Sequence, residues 1–82
     1  MYFVYLLQST ADKTFYIGNT GNLGRRLIEH NTGKVYYTNR KTPWNLIYYE
    51  AYQTRETARE REKQLKRFSS AYMGLLKRLG FK

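Results

Sequence analysis

The run Tyr2-Phe3-Val4-Tyr5-Leu6-Leu7 limits most sharply what the chain can fold into. Every residue in it is aromatic, β-branched or aliphatic. In an extended strand Phe3, Tyr5 and Leu7 fall on one face and Tyr2, Val4 and Leu6 on the other. A strand that is apolar on both faces needs cover on both, which places it at the centre of a sheet. A polar stretch from Gln8 to Lys13 separates it from a second such run, Thr14-Phe15-Tyr16-Ile17-Gly18, and the two predict an antiparallel hairpin with a loop longer than two residues. Tyr5 and Tyr16 become neighbours on one sheet face if the loop register allows, whereas a slip of one residue sends them to opposite faces.

After Gly18 the period changes. Asn19-Thr20-Gly21-Asn22 supplies N-cap types, and helical spacing then predicts a helix from Gly21 or Asn22 to Asn31, stopped by Thr32-Gly33. Leu23 and Leu27 form its inward stripe, and Arg26 and His30, one turn apart, line the edge of that stripe together. Each of the two has an ordinary reading, a surface arginine and a half-buried imidazole, beside a functional one. Lys34 to Asn45 is predicted to be an irregular surface segment. It interleaves Tyr36-Tyr37 with Lys34, Arg40 and Lys41, a mixture that suits a strand of nucleic acid because cations pair with phosphates and rings stack on bases. It also suits a loop anchored by buried rings, the role expected of Trp44. A third strand is predicted over Leu46–Tyr52.

Thr54 is placed to cap a helix running through Phe68, with Glu56 in its first turn. Ala58, Glu62 and Leu65 are spaced i, i+4, i+7, so the inward stripe carries a carboxylate, which costs several kcal/mol unless it is compensated. A salt bridge to Arg26 or Arg61 would compensate it, and so would a role as metal ligand or catalytic acid. From Ser69 or Ser70 a last helix is predicted, with Tyr72, Leu75, Leu76 and Leu79 as its apolar stripe and Gly80 as its stop. The fold class is therefore α+β: a three-stranded antiparallel sheet flanked by helices, forming a single domain over residues 1–82.

Charge narrows the partners. Fifteen Lys and Arg stand against six Asp and Glu, and none of the acids lies after Glu62, where Lys63, Lys66, Arg67, Lys77, Arg78 and Lys82 leave the chain cationic. A small domain with such an excess is an anion binder, and nucleic acid is the commonest polyanion in a cell. A cationic surface that serves solubility or meets acidic partners is the alternative. With no cysteine there is neither a disulfide framework nor a thiolate metal site. No stretch has the length of a signal peptide core or a membrane span, so a cytoplasmic protein is expected, without membrane contact.

Together these residues resemble the GIY-YIG nuclease family, and most of all its small stand-alone members. The namesake motifs stand here as Phe3-Val4-Tyr5 and Tyr16-Ile17-Gly18. The pieces that follow are Thr20-Gly21-Asn22-Leu23-Gly24-Arg25-Arg26, His30-Asn31-Thr32-Gly33-Lys34 and Arg61-Glu62-Lys63. The resemblance spans nearly the whole chain. It implies a catalytic set of Tyr5, Tyr16, Arg26, His30 and Glu62, in which Glu62 holds Mg²⁺ or Mn²⁺ and Arg26 stabilises the charged transition state of phosphodiester hydrolysis. Tyr5 is favoured as the base, made more acidic by Arg26, the metal and His30, with Tyr16 holding water or phosphate; the two phenols can also exchange roles. Arg25, Lys34, Arg40 and Lys41 are the expected nucleic-acid-binding cations. The implied activity is an endonuclease on DNA, including branched or damaged DNA, with a non-catalytic nucleic-acid-binding module as the alternative and a protein-interaction adaptor as a third reading.

Three departures matter. Phe3 replaces the first glycine of the namesake motif, and Asn19 stands where some nucleases of the family carry a lysine, which removes one phosphate ligand. No asparagine follows Glu62 in Phe68 to Lys82 where some restriction-enzyme members use one.

Overall fold

The computed structural model describes residues 1–81, so Lys82, counted above with the cationic tail, lies outside the described residues. Strand β1 spans Tyr2–Ser9, β2 Phe15–Thr20 and β3 Trp44–Tyr52; helix α1 spans Leu23–Asn31, α2 Arg55–Arg67 and α3 Ser69–Arg78. The sheet order is β2-β1-β3 with both pairings antiparallel, so the two-sided run is the central strand, as its composition requires.

Two separate cores cover its two faces. Val4 and Leu6 pack with Ala58 and Leu65 of α2 and Leu75 and Leu76 of α3. On the other face Tyr5 and Leu7 pack with Trp44, ringed by Tyr16, Leu23, Leu27 and Leu46. The β1–β3 register shifts between Leu6 and Leu7: Leu6 faces Tyr48 and Leu7 faces Leu46. Ile47 is the extra residue of this bulge, and it joins Tyr48 against the helical core while Leu46 serves the opposite one.

Local chemistry sets the ends of the elements. Asn22 caps α1 by accepting from the Arg25 amide at 3.0 Å, and Thr54 caps α2 by accepting from Thr57 at 3.2 Å. Gly33 and Gly80 adopt φ of +79° and +88°, where the chain must turn out of α1 and α3. β1 continues two residues beyond the expected Leu7, and β2 begins at Phe15 rather than Thr14. β3 starts at Trp44 rather than Leu46, because β1 runs on to Ser9 and pairs Gln8 with Asn45 and Ser9 with Trp44, and Asn31 at the end of α1 bonds to the Trp44 backbone as well. The Asn31 amide nitrogen donates to Trp44 O at 3.0 Å, and Trp44 N donates to Asn31 Oδ1 at 2.6 Å.

The other face of α2 is fastened by a different device. The Glu50 carboxylate accepts from the Tyr48 and Tyr52 hydroxyls, each at 2.5 Å, and from Arg61 Nε and Nη2, each at 3.0 Å. Arg78 of α3 donates to Tyr48 Oη at 2.8 Å and extends the network. Burial pushes the Glu50 carboxyl upward, but Arg61 and the two phenols outweigh it and hold it below the usual carboxylate range. Among the described residues no helix is long and apolar enough to cross a membrane.

Candidate active site at the edge of the sheet

The cross-strand register puts Tyr5 opposite Gly18 and Leu7 opposite Tyr16. Tyr5 and Tyr16 therefore share a face as diagonal neighbours, with ring centroids 6.4 Å apart. The Tyr5 ring passes sideways over Gly18. A Cβ at that position would lie 2.6 Å from Tyr5 Cζ, nearer still to its oxygen, and 3.2 Å from the Tyr16 ring. The glycine thus lets the Tyr5 phenol reach the open edge of β2.

His30 lies beneath both phenols. The helical spacing placed it at the margin of α1, with Leu23 and Leu27 inward. In the fold His30 is the fully buried residue of α1, and the two leucines are only partly buried. Its Nε2 sits 2.9 Å from Tyr5 Oη and its Nδ1 2.8 Å from Thr38 Oγ1, while its ring lies 4.9 Å from that of Tyr16. Thr38 Oγ1 in turn faces Val35 O at 3.4 Å. The assignment that uses every donor runs in one direction: Tyr5 donates to Nε2, Nδ1–H donates to Thr38, and Thr38 donates to Val35.

Burial, with Arg26 adding to it, lowers the His30 pKa to about 4, so the ring is neutral at physiological pH. The same burial pushes the Tyr5 phenol up to about 12 against the opposing pull of Arg26. In the free protein desolvation therefore outweighs Arg26 and Tyr5 keeps its proton, whereas the expected phenolate counted on a bound metal as well. Among the described residues the Tyr16 hydroxyl has no hydrogen-bond partner.

Arg26 stays partly exposed beside Tyr5 and donates to Glu29 Oε1 at 3.0 Å. Neither it nor Arg61 neutralises Glu62, since Arg61 belongs to Glu50. Glu62 retains 17% side-chain exposure and takes its hydrogen bonds from Asn19, through Nδ2 to Oε1, and from Lys66, 2.8 Å from Oε2. Asn19 is paired with Val4, so it points to the helical face of the sheet, not the phenol face. Glu62, held at Asn19, therefore stands on the helical side of the edge strand β2, within electrostatic reach of Tyr5, whose proton it helps retain. Lys66 Nζ bridges the two sides, lying 5.8 Å from the Tyr16 ring centroid.

The expected cations differ in freedom. Arg25 is exposed and 3.7 Å from Glu29, Lys41 is 3.2 Å from Asp12, and Lys34 and Arg40 are exposed without an ion-pair partner among the described residues. Lys66 and Thr38 escaped the sequence reading as site neighbours, and Asn19 entered it only as a missing phosphate ligand, not as the partner of Glu62. For Lys66 a local signal was present, its i, i+4 spacing from Glu62.

Among the described residues no group of three or more His, Cys, Asp or Glu gathers to hold a metal. Glu62, a single carboxylate at the margin of the core, would suit a largely hydrated divalent cation in place of Lys66.

A sheet whose central and edge strands present two phenols over a glycine, with an arginine, a buried histidine and an overhanging glutamate, defines a class. The chain belongs to the GIY-YIG family: the GIY-YIG catalytic domain matches residues 1–75. Within it the chain is similar to small proteins called UPF0213. One from Natronomonas pharaonis is 39% identical over 71 residues, covering 85% of this chain and 82% of the relative. One from Streptococcus pyogenes serotype M5 is 41% identical over 66 residues, covering 79% and 71%. The solution NMR structure of the UPF0213 protein BH0048 from Bacillus halodurans superposes with a TM-score of 0.58 at 30% identity, covering 98% of this chain and 86% of that one. The GIY-YIG family is generally one of nucleases.

Proposed function

We propose that the protein is a divalent-metal-dependent endonuclease that hydrolyses phosphodiester bonds in DNA, with branched or damaged structures as targets. One observation carries this reading: the buried Tyr5 Oη–His30 Nε2 pair at 2.9 Å, close enough to Arg26, Tyr16 and Glu62 for all three to act on the phenol electrostatically.

Hydrolysis requires a water to lose a proton as it attacks phosphorus, while charge grows on the phosphate oxygens. The hydrogen of Tyr5 is committed to His30, so the phenol oxygen can accept a proton from water as its own passes to Nε2. Thr38 and Val35 keep the other ring nitrogen protonated, which leaves Nε2 as the acceptor. With values of about 12 and about 4 for the two groups, this relay is at rest in the free protein. A phosphodiester anion at the edge favours the imidazolium and so drives the transfer. Arg26, held in its charged form by Glu29 and Tyr5, can present N–H groups to the phosphate oxygens, and the free hydroxyl of Tyr16 can orient phosphate or water. Glu62 would hold the metal with Asn19 orienting its carboxylate, and a bound Mg²⁺ or Mn²⁺ supplies Lewis-acid stabilisation of the leaving oxygen.

The test incubates the protein with plasmid, single-stranded, branched and RNA substrates in Mg²⁺ and in Mn²⁺, alongside Glu62→Ala and Tyr5→Phe. Cleavage lost by at least about a hundredfold in both variants supports the reading. The binding module is favoured by one observation, that both Glu62 oxygens already have partners. Absence of cleavage with either metal, together with salt-sensitive binding untouched by Glu62→Ala, would establish it instead.

A further inference from the structure

The segment between α1 and β3 holds two side chains for which the fold has no use. Tyr36 and Tyr37 are 75% and 84% exposed, above every other large apolar side chain among the described residues, while their flanking neighbours Val35 and Thr38 are buried. The rings meet edge to face at 5.5 Å, an arrangement that leaves ring surface open to solvent on both.

Their backbone is fixed. Thr38 N–H donates to Val35 O at 3.2 Å, Thr38 O accepts from Trp44 Nε1 at 2.9 Å, and the hydroxyl of Ser9 holds Lys41 O at 2.7 Å. With Asn39, Arg40 and Lys41 the rings line a shallow groove. Arg40 is exposed there, as is Lys34 just before Val35, whereas Lys41 shares its charge with Asp12.

We infer that Tyr36 and Tyr37 form a stacking platform for unpaired bases, so that the nucleic acid brought to the edge site is single-stranded where it meets the protein. The inference rests on reading that site as one acting on nucleic acid. An exposed ring gains stacking energy from a base whose face is free, which a duplex interior does not offer, while the adjacent cations meet the phosphates of the same strand. The platform is coupled to the site through one residue: Thr38, next in sequence to Tyr37, touches the nitrogen of His30 opposite the one that holds Tyr5. A strand whose base stacks on Tyr37 would run on toward the partly exposed Arg26, which lies beside the buried Tyr5.

The experiment measures binding without catalysis. Fluorescence anisotropy in EDTA titrates the protein against a short labelled DNA strand, the same strand annealed to its complement, and an abasic strand of equal length. Three proteins are compared: the unmodified chain, Tyr36→Ala/Tyr37→Ala, and Tyr36→Phe/Tyr37→Phe. The double alanine variant is expected to lose at least about tenfold in affinity for the single strand while its duplex and abasic affinities stay within about twofold. The phenylalanine variant, which keeps the rings, is expected to bind like the unmodified chain.

Equal losses on single strand and duplex, no loss on either, or an abasic strand bound as tightly as the normal one by the unmodified protein overturns the platform. Retention of anionic vesicles or an acidic polypeptide through the tyrosines, with no single-strand preference, overturns it too. The nuclease reading fails separately: an inactive protein with tyrosine-dependent single-strand binding keeps the platform, and a double alanine variant that cuts normally and binds normally refutes the platform alone.

Discussion

At the scale of single residues the molecule turns on a neutral imidazole. Unfolded, His30 takes up its proton near pH 6.5; folded, it does so only near 4. Between those values the unfolded chain binds more protons, so the stabilisation is complete above about 6.5 and is lost as the pH falls through that window. The expected loss is about 3 kcal/mol, read from urea midpoints at a series of pH values against His30→Gln, whose profile should be flatter. Glu50 is also held low and weakens both proteins in acid, so the difference between the profiles isolates His30. A similar slope in the two proteins would deny the buried neutral state. The sequence carried the identity of this residue, and of Tyr5, Tyr16, Arg26 and Glu62, because each sits in a local motif. It could not carry their environment. The burial of His30 depends on Thr38 eight positions away, and the partner of Glu62 lies 43 positions back at Asn19. Helical spacing assigned the edge to His30 and the interior to two leucines; a hydrogen-bond chain available only in the folded segment reversed that order.

At the scale of elements, what is local was legible and what is paired was not. The cap at Thr54, the apolar stripe of α3 and the central position of β1 follow from short-range pattern, whereas for α1 that pattern offers four cap types and a start at Gly21 or Asn22, and the fold caps the helix with Asn22 and begins it at Leu23. The bulge at Ile47 and the early start of β3 depend on a partner strand and on Asn31, and neither leaves a periodic trace. The Glu50 hub shows the same limit: the sequence offers Arg61 to Glu62, its neighbour, and nothing local ties it or Tyr48, Tyr52 and Arg78 to Glu50. Removing its carboxylate leaves a partly buried guanidinium and two phenols without their acceptor. Glu50→Ala is accordingly expected to cost about 2–3 kcal/mol in chemical denaturation. Affinity for a single strand is expected to stay within about twofold, since the hub fastens α2 and α3 to the face of the sheet opposite the phenols. An unchanged denaturation midpoint would show that the hub is a surface ornament.

At the scale of the whole molecule the charge of +9 is an electrostatic field before it is a set of contacts. Affinity for a single strand should fall linearly with the logarithm of salt, each engaged phosphate adding about 0.7 to the slope. Lys34→Ala and Arg40→Ala are each expected to reduce that slope by about 0.7, and Lys41→Ala by less, because Asp12 already offsets part of its charge. A salt series on the three variants checks this, and identical reductions would show that the Asp12 pair does not persist in solution. The order in which the site is supplied has a consequence of its own. Tyr5, Tyr16, Arg26 and His30 all precede β3, whereas Glu62 comes from α2, which follows it. A ribosome, itself built largely of nucleic acid, therefore synthesises the phenols, the guanidinium and the imidazole first and the carboxylate last. No nascent chain shorter than Glu62 carries the whole set, and the set assembles only when α2 has emerged and closed over the edge of β2.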